Sequence, residues 1–348
     1  MNVNPLYRES IEKIADADFL DFEKFRGKTF FITGATGLIG RVIIDVLRFL
    51  NSKNDLNAKI FALTRSIEKA REKFTNWGGK QGEIEFIEQD ARDPIPESVS
   101  ADFIICGAST SHPVAYSNDP EGTIDINFFG AKNIISLANK CPGSRTIFLS
   151  SNEIYGNNSN GLESFSEKDC GYIDCNTVRA CYNEAKRLCE CLFQIAKAKN
   201  NVDFVTVRLS RVFGATMTAE DSKASAQFIR DAVNGRDIVL KSPGLQRFSY
   251  VYVADAVTGI FLALIKGISG EVYNIGGDAI RLRDFARICG EYAKRQVTFG
   301  QANAVENSGF SASQDSVLND KKIRDLGWRQ FYSIESALNE TLEILSSM

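Results

Sequence analysis

Histidine is almost missing from this chain: His112 is the only one. A single imidazole removes every Ser-His or Cys-His scheme that needs a second histidine. His112 itself precedes Pro113 in a loop-like stretch, where a structural role is the simpler reading. None of the eight cysteines belongs to a CxxC pair, so a zinc site would need an unusual ligand set at unusual spacing. No metal is expected, and most of the thiols read as core filling. No apolar run reaches the roughly 18–20 residues of a membrane span. The opening stretch, MNVNPLYRESIEKIADADFLDFEKF, is polar and acidic and lacks a signal-peptide core. A soluble, cytoplasmic chain with no membrane partner is expected. Charge is nearly balanced, with 41 basic against 44 acidic residues for a net of -3. That argues against a protein that coats a polyanion, and no nucleic-acid partner is expected. What is present is ordinary: 44% hydrophobic and 24% charged residues support a sizeable folded core.

The 348 residues allow two domains at roughly 100–200 residues each. Residues 1–26 read as an amphipathic lead-in, with a helix over Ser10–Phe25. Strands are then expected at Lys28–Thr33, Lys59–Leu63, Glu83–Glu88, Asp102–Cys106, Arg145–Leu149 and Asp203–Arg208. Between them, helices are expected at Arg41–Leu50, Ile67–Trp77, Thr123–Asn139 and Arg179–Asn200. This alternation predicts an α/β fold, a Rossmann-type doubly wound parallel sheet with helices on both faces. The regularity thins after about residue 210, where helices are expected at Gln227–Asn234, Val251–Ile265 and Ile334–Leu345. The reading is therefore a Rossmann domain over 27–210 and a smaller α/β substrate domain over 211–348, interleaved with the first.

The loop Thr33-Gly34-Ala35-Thr36-Gly37-Leu38-Ile39-Gly40 carries glycines at i, i+3 and i+6 between a strand and a helix. The first permits a tight turn, the second a close approach of backbone N–H groups to a pyrophosphate, and the third close helix–sheet packing. The helix N-terminus then faces the phosphates. Gly34, Thr36, Gly37, Leu38, Ile39 and Gly40 are the expected dinucleotide loop. An acid closing the second strand would bind the ribose of NAD. The chain has Thr64-Arg65-Ser66 instead. Arg65 suits a 2′-phosphate, so the expected cofactor is NAD(P), leaning to NADP. Asp90 and Ala91 follow the third strand and are placed either at the adenine or in a capping loop.

Tyr182 and Lys186 lie i, i+4 in CYNEAKR and share one helix face. A nearby ammonium favours phenolate. A phenol so poised can exchange a proton with a sugar hydroxyl while hydride passes to nicotinamide. Ser151, closing the strand in FLSSNEIYG, can reach the same oxygen.

TGATGLIG, DFIICGAST, FLSSNEIYG, CYNEAKR and VRLSRVFG, in this order, resemble the extended short-chain dehydrogenase/reductase family of nucleotide-sugar epimerases, dehydratases, reductases and decarboxylases. The resemblance spans roughly residues 27–345. It implies a bound NAD(P), a nucleotide-sugar substrate and a homodimer. It also implies Tyr182 as base, Lys186 as the group that lowers its pKa and holds the nicotinamide ribose, and Ser151 as substrate orienter. Glu153 matches the dehydratases and UDP-glucuronate decarboxylases. Asn152 departs from the dehydratases, because an amide supplies no useful proton to a leaving hydroxyl. The segments 111–120 and 179–187 look locally most like the decarboxylases, with Arg179 the nominated cation for a carboxylate. Ser109 of GAST joins the substrate side. In the segment resembling the family's diphosphate-gripping strand, Phe248 stands where the arginine is expected and Arg247 lies one residue earlier. Arg247 is nominated, with Arg208 and Arg211 as alternatives, and Phe228 and Leu240 as walls of the base pocket. The leading expectation is modification of a nucleotide-activated sugar through a C4-keto intermediate, dehydratase- or decarboxylase-like, with a 4-epimerase, an NADPH-dependent 4-keto reductase and a non-catalytic dinucleotide sensor as the competing readings.

Overall fold

The computed structural model describes residues 3–74, 84–301 and 315–347. Helix α1 (Pro5–Ala15) precedes β1 (Thr29–Ile32), α2 (Leu38–Asn54), β2 (Lys59–Thr64), α3 (Ile67–Lys73), β3 (Ile84–Glu88) and β4 (Phe103–Cys106). Then come α4 (Pro113–Asn118), α5 (Pro120–Lys140), β5 (Arg145–Ser151), α6 (Ala180–Asn200) and β6 (Asp203–Leu209). Seven strands form one sheet in the order β10-β6-β5-β4-β1-β2-β3, with β10 at Val272–Ile275. Every neighbouring pair in it is parallel. This is the Rossmann-type architecture the alternation predicts.

A sheet covered on both faces needs apolar residues pointing both ways, and the strands supply them at a period of two. Phe30, Ile32, Ile105, Ile147, Val205 and Val207 join the core that includes Ile11 of α1, Val42 of α2 and Ile260 of the helix Val253–Lys266. Phe31, Ile104, Cys106, Phe148 and Phe204 join the opposite core, with Ile134 of α5 and Phe193 of α6.

The later part of the chain adds β7 (Arg211–Phe213), α7 (Ala224–Val233), β8 (Ile238–Leu240), β9 (Arg247–Tyr252), α8 (Val253–Lys266), β11 (Asp278–Arg281), α9 (Leu282–Ala293) and β12 (Val297–Phe299). A three-stranded sheet runs β11-β9-β7, and β12 pairs with β8. Because β10 returns to the edge of the large sheet, this stretch threads through both layers.

The lead-in helix differs from the sequence expectation of Ser10–Phe25. It begins earlier because Asn4 Oδ1 accepts from the N–H groups of Leu6 and Tyr7, and Pro5 occupies the first turn. It ends at Ala15, and Phe22–Phe25 form a separate 3₁₀ turn that sets Phe25 against Phe30, Phe103 and Phe261. The end of the helix expected over Ile67–Trp77 and the start of the strand at Glu83 fall outside the described residues. No described helix is long and apolar enough to cross a membrane. Among the described residues no group of three or more His, Cys, Asp or Glu is arranged to hold a metal.

Candidate active site

The strand order reverses between β1 and β4, which sit side by side although β2 and β3 intervene in sequence. Open α/β sheets bind ligands at such a switch point, beyond the carboxyl ends of the strands. A crevice of about 890 Å³ lies there. The glycine loop floors it. Gly34 has φ +72°, and a Cβ on it would stand 2.7 Å from the Gly107 carbonyl oxygen, so the turn needs glycine. The Thr33 hydroxyl accepts from the N–H groups of Gly107 and Ala108 at 3.0 and 3.2 Å, tying the loop to β4. Gly34, Gly37, Leu38, Ile39 and Gly40 line the crevice, whereas Thr36 lies outside the lining. This backbone cradle at the start of α2 suits a dinucleotide. Arg65 lines the crevice at the end of β2, beside Asp90, Ala91 and Arg92. Arg92 pairs with Asp90 at 3.0 Å, which holds the Asp90 carboxyl below its ordinary range.

Ser151, Glu153, Arg179, Tyr182 and Lys186 all line the same crevice, with Ser109 and Asn152. Strand β5 delivers Ser151 and α6 delivers Tyr182 and Lys186, one turn apart on a buried face. Lys186 Nζ lies 5.9 Å from the Tyr182 ring centre and donates to the Leu149 carbonyl at 2.9 Å. Burial lowers its pKa. Burial raises the Tyr182 phenol to about 12, while a hydrogen bond with Ser151 acts in the opposite direction. The Tyr182 ring stacks on Tyr116 at 5.6 Å and 18°. The Arg179 guanidinium covers the other partner of that stack, 4.7 Å from the Tyr116 ring.

Arg179 does not wait for a ligand. Its Nη2 donates to Glu153 at 2.7 Å, and Asn183 donates to the Glu153 backbone carbonyl at 2.8 Å. Burial pushes the Glu153 carboxyl up, but the charges of Arg179 and Arg211 and the hydrogen bonds of Arg179 and Asn183 pull it below the ordinary value. Glu153 is therefore an anion at neutral pH. A carboxyl whose folded pKa is depressed stabilises the fold above its unfolded pKa and loses that contribution as pH falls through the folded value. The Tm advantage of wild type over Glu153→Gln is expected to hold from neutral pH down to the ordinary carboxylate range and to close below it. A gap that widens in acid would contradict this pairing.

Of the residues nominated for the substrate, Arg211 and Phe228 line the crevice and Leu240 and Arg247 do not. Leu240 is fully buried, and its neighbours Val239 and Lys241 face the crevice instead. Arg247 is exposed, and its N–H donates to Asp315. Arg208 is spent on Glu190. Sequence reasoning overlooked Tyr116 and Asn183. The i, i+4 spacing of Arg179 and Asn183 was a usable signal; Tyr116 comes from the β4–β5 connection and gave none. His112 lines the mouth, its Nδ1 3.1 Å from Ser222 Oγ.

A model of the NAD dependent epimerase/dehydratase family matches residues 30–276. Among curated proteins, the chain is 27% identical over 308 residues to UDP-glucuronic acid decarboxylase 6 of Arabidopsis thaliana, covering 88% of this chain and 85% of that one. It is 28% identical over 347 residues to UDP-glucuronic acid decarboxylase 1 of Xenopus tropicalis, covering 98% and 77%. Among solved structures, a UDP-N-acetylglucosamine 4-epimerase from Methanobrevibacter ruminantium superposes with TM-score 0.78 at 19% identity, covering 93% of this chain and all (100%) of that one. A dTDP-glucose 4,6-dehydratase from Streptomyces venezuelae, solved with NAD, superposes with TM-score 0.77 at 20% identity, covering 92% and 97%.

Proposed function

The chain belongs to the NAD dependent epimerase/dehydratase family, and from that premise we propose that it oxidises C4 of a nucleotide-activated sugar and then removes the carboxyl group at C6. The observation that carries this reading is the meeting of Tyr182, Ser151 and Glu153 at one point of the crevice, with Lys186 behind them. In this reading the Tyr182 oxygen takes the proton of the C4 hydroxyl, and Ser151 holds that hydroxyl in line. A bound nicotinamide supplies the hydride acceptor. Lys186 holds the nicotinamide ribose, and the ammonium favours the phenolate once a ligand closes the crevice over both. A ketone at C4 then stabilises the electron pair left at C5 when C6 departs as CO2, and C5 takes up a proton in its place. Glu153, kept ionised by Arg179, stands beside C5 as base or hydrogen-bond acceptor.

Decarboxylation is preferred to dehydration because Asn152 offers an amide where a leaving hydroxyl needs an acid. Its Nδ2 is moreover committed to Ser316 at 3.0 Å. The curated relatives support the same choice. The test is mass spectrometry of products from UDP-glucuronate: loss of CO2 supports the reading, and loss of water favours a dehydratase. A second reading, a 4-keto reductase, draws on Arg65. With no acid at the end of β2, this arginine suits the 2′-phosphate of NADP. Arg65→Glu is expected to weaken NADP binding by at least about 10-fold relative to NAD, read by calorimetric titration of both dinucleotides; an unchanged ratio would contradict the NADP preference. We also read the chain as a homodimer. Ile124 and Phe129 on α5, and Leu188 and Ile195 on α6, are each 43–44% exposed on the two helices that pack together, and light scattering tests the mass.

A further inference from the structure

The cations facing the crevice are mostly committed within the protein. Arg92 pairs with Asp90, Arg179 with Glu153 and Lys223 with Asp221 at 3.0, 2.7 and 3.0 Å, and Lys186 donates to the Leu149 carbonyl. Arg211 is different. Its Nη1 is buried and has no hydrogen-bond partner. The guanidinium stacks on the ring of Phe248, 3.4 Å from its centre. Strands β7 and β9 pair in parallel with Arg211 opposite Tyr250. The Tyr250 hydroxyl is the second buried group on this pair of strands without a partner. Arg211, Phe248 and Tyr250 all line the crevice. Burial pushes the Tyr250 phenol up and the charge of Arg211 only partly offsets it, while Arg211 adds to Arg179 in holding the Glu153 carboxyl low.

Two neighbouring buried donors with nothing to accept from them are costly in a folded protein. One is a permanent cation and the other a phenol, a combination that suits an oxyanion. Phe248 removes water from one face of the guanidinium and holds it flat, so little side-chain freedom is lost on binding. We propose that Arg211 and Tyr250 form the oxyanion subsite of this chain and receive an anionic oxygen of the sugar nucleotide, from its diphosphate or from a carboxylate on its sugar. The proposal rests on the nucleotide-sugar reading above. It moves the anion-binding charge from β9, where Arg247 points away from the crevice, to β7.

Calorimetric titration with UDP, CDP, dTDP and GDP first identifies the diphosphate that the wild type binds. Arg211→Met removes the charge while keeping a long apolar side chain and is expected to weaken that binding by about 10- to 100-fold, and Tyr250→Phe by about 3- to 10-fold. Tyr250→Phe is not expected to lower Tm, because it deletes an unsatisfied donor rather than a contact; a merely structural role would lower it. Titration of UDP-glucose and UDP-glucuronate separates the two sources. Equal losses for the diphosphate alone and for both sugars assign the subsite to phosphate, and a loss confined to the glucuronate assigns it to the carboxylate. Wild-type affinity retained in Arg211→Met for the diphosphate and for both sugar nucleotides overturns the subsite alone. A wild type that binds none of the four diphosphates overturns the nucleotide-sugar reading together with it.

Discussion

Replacing Tyr182 by Phe is expected to lower kcat by about 100- to 10,000-fold, the usual contribution of a positioned acid–base group, while leaving the fold and dinucleotide binding near wild type. The substitution removes one oxygen and keeps the ring. The ring is what packs: it is 7% exposed, stacked on Tyr116 and set into the cluster with Cys181. The oxygen is what faces Ser151 in the crevice. Because this phenol is held up at about 12, with burial the largest cause, activity should climb with pH. Turnover by Tyr182→Phe within tenfold of wild type would remove the phenol from the chemistry.

The second large effect is on stability. Arg208 and Glu190 form a nearly buried pair at 2.7 Å, with side chains 10% and 14% exposed. Arg208 also donates to the Tyr155 hydroxyl at 3.0 Å and to the Glu167 carbonyl at 2.9 Å. Ser150 donates to the same Glu190 carboxylate at 2.6 Å. The network ties β5, α6 and β6 together directly behind the strand that ends in Ser151. Removing one partner of a buried pair strands the other charge, at a cost of about 3–5 kcal/mol. Arg208→Met is expected to lower Tm by about 4–7 °C, since unfolding entropy of roughly 2.1 cal/mol/K per residue makes each kcal/mol worth about 1.4 °C at this length. Circular dichroism melting measures it. An unshifted Tm would show that the pair stabilises nothing and would return Arg208 to the substrate candidates.

The doubly wound sheet was legible because its strands are buried on both faces and so read as short continuous apolar runs between helical periods. The glycine loop and the Tyr182–Lys186 face were legible because their spacing is local: a turn, and one turn of helix. What the sequence could not supply was contact across the chain. Arg179 and Glu153 are 26 positions apart, and only the fold shows that Arg179 is paired before any substrate arrives. The same limit explains Arg247, where strand register decides which of two adjacent residues faces the crevice. Alternation puts Phe248 and Tyr250 inward and leaves Arg247 outside. Tyr250 was invisible for a further reason, since its significance lies in a hydroxyl that lacks a partner. The strands β7 to β12, three to six residues long, carry too few periods for a pattern to emerge. The helix α9 was missed in the same stretch, although Leu282, Phe285, Ala286 and Cys289 mark its buried face at helical spacing.

The central claim is that turnover passes through oxidation at C4, and its most direct test is deuterium at that carbon. With the nucleotide sugar selected by the titrations, deuteration at C4 is predicted to slow turnover by a primary isotope effect in wild type. Product formed at the same rate from both isotopologues, with the C4 bond never broken, would contradict the account.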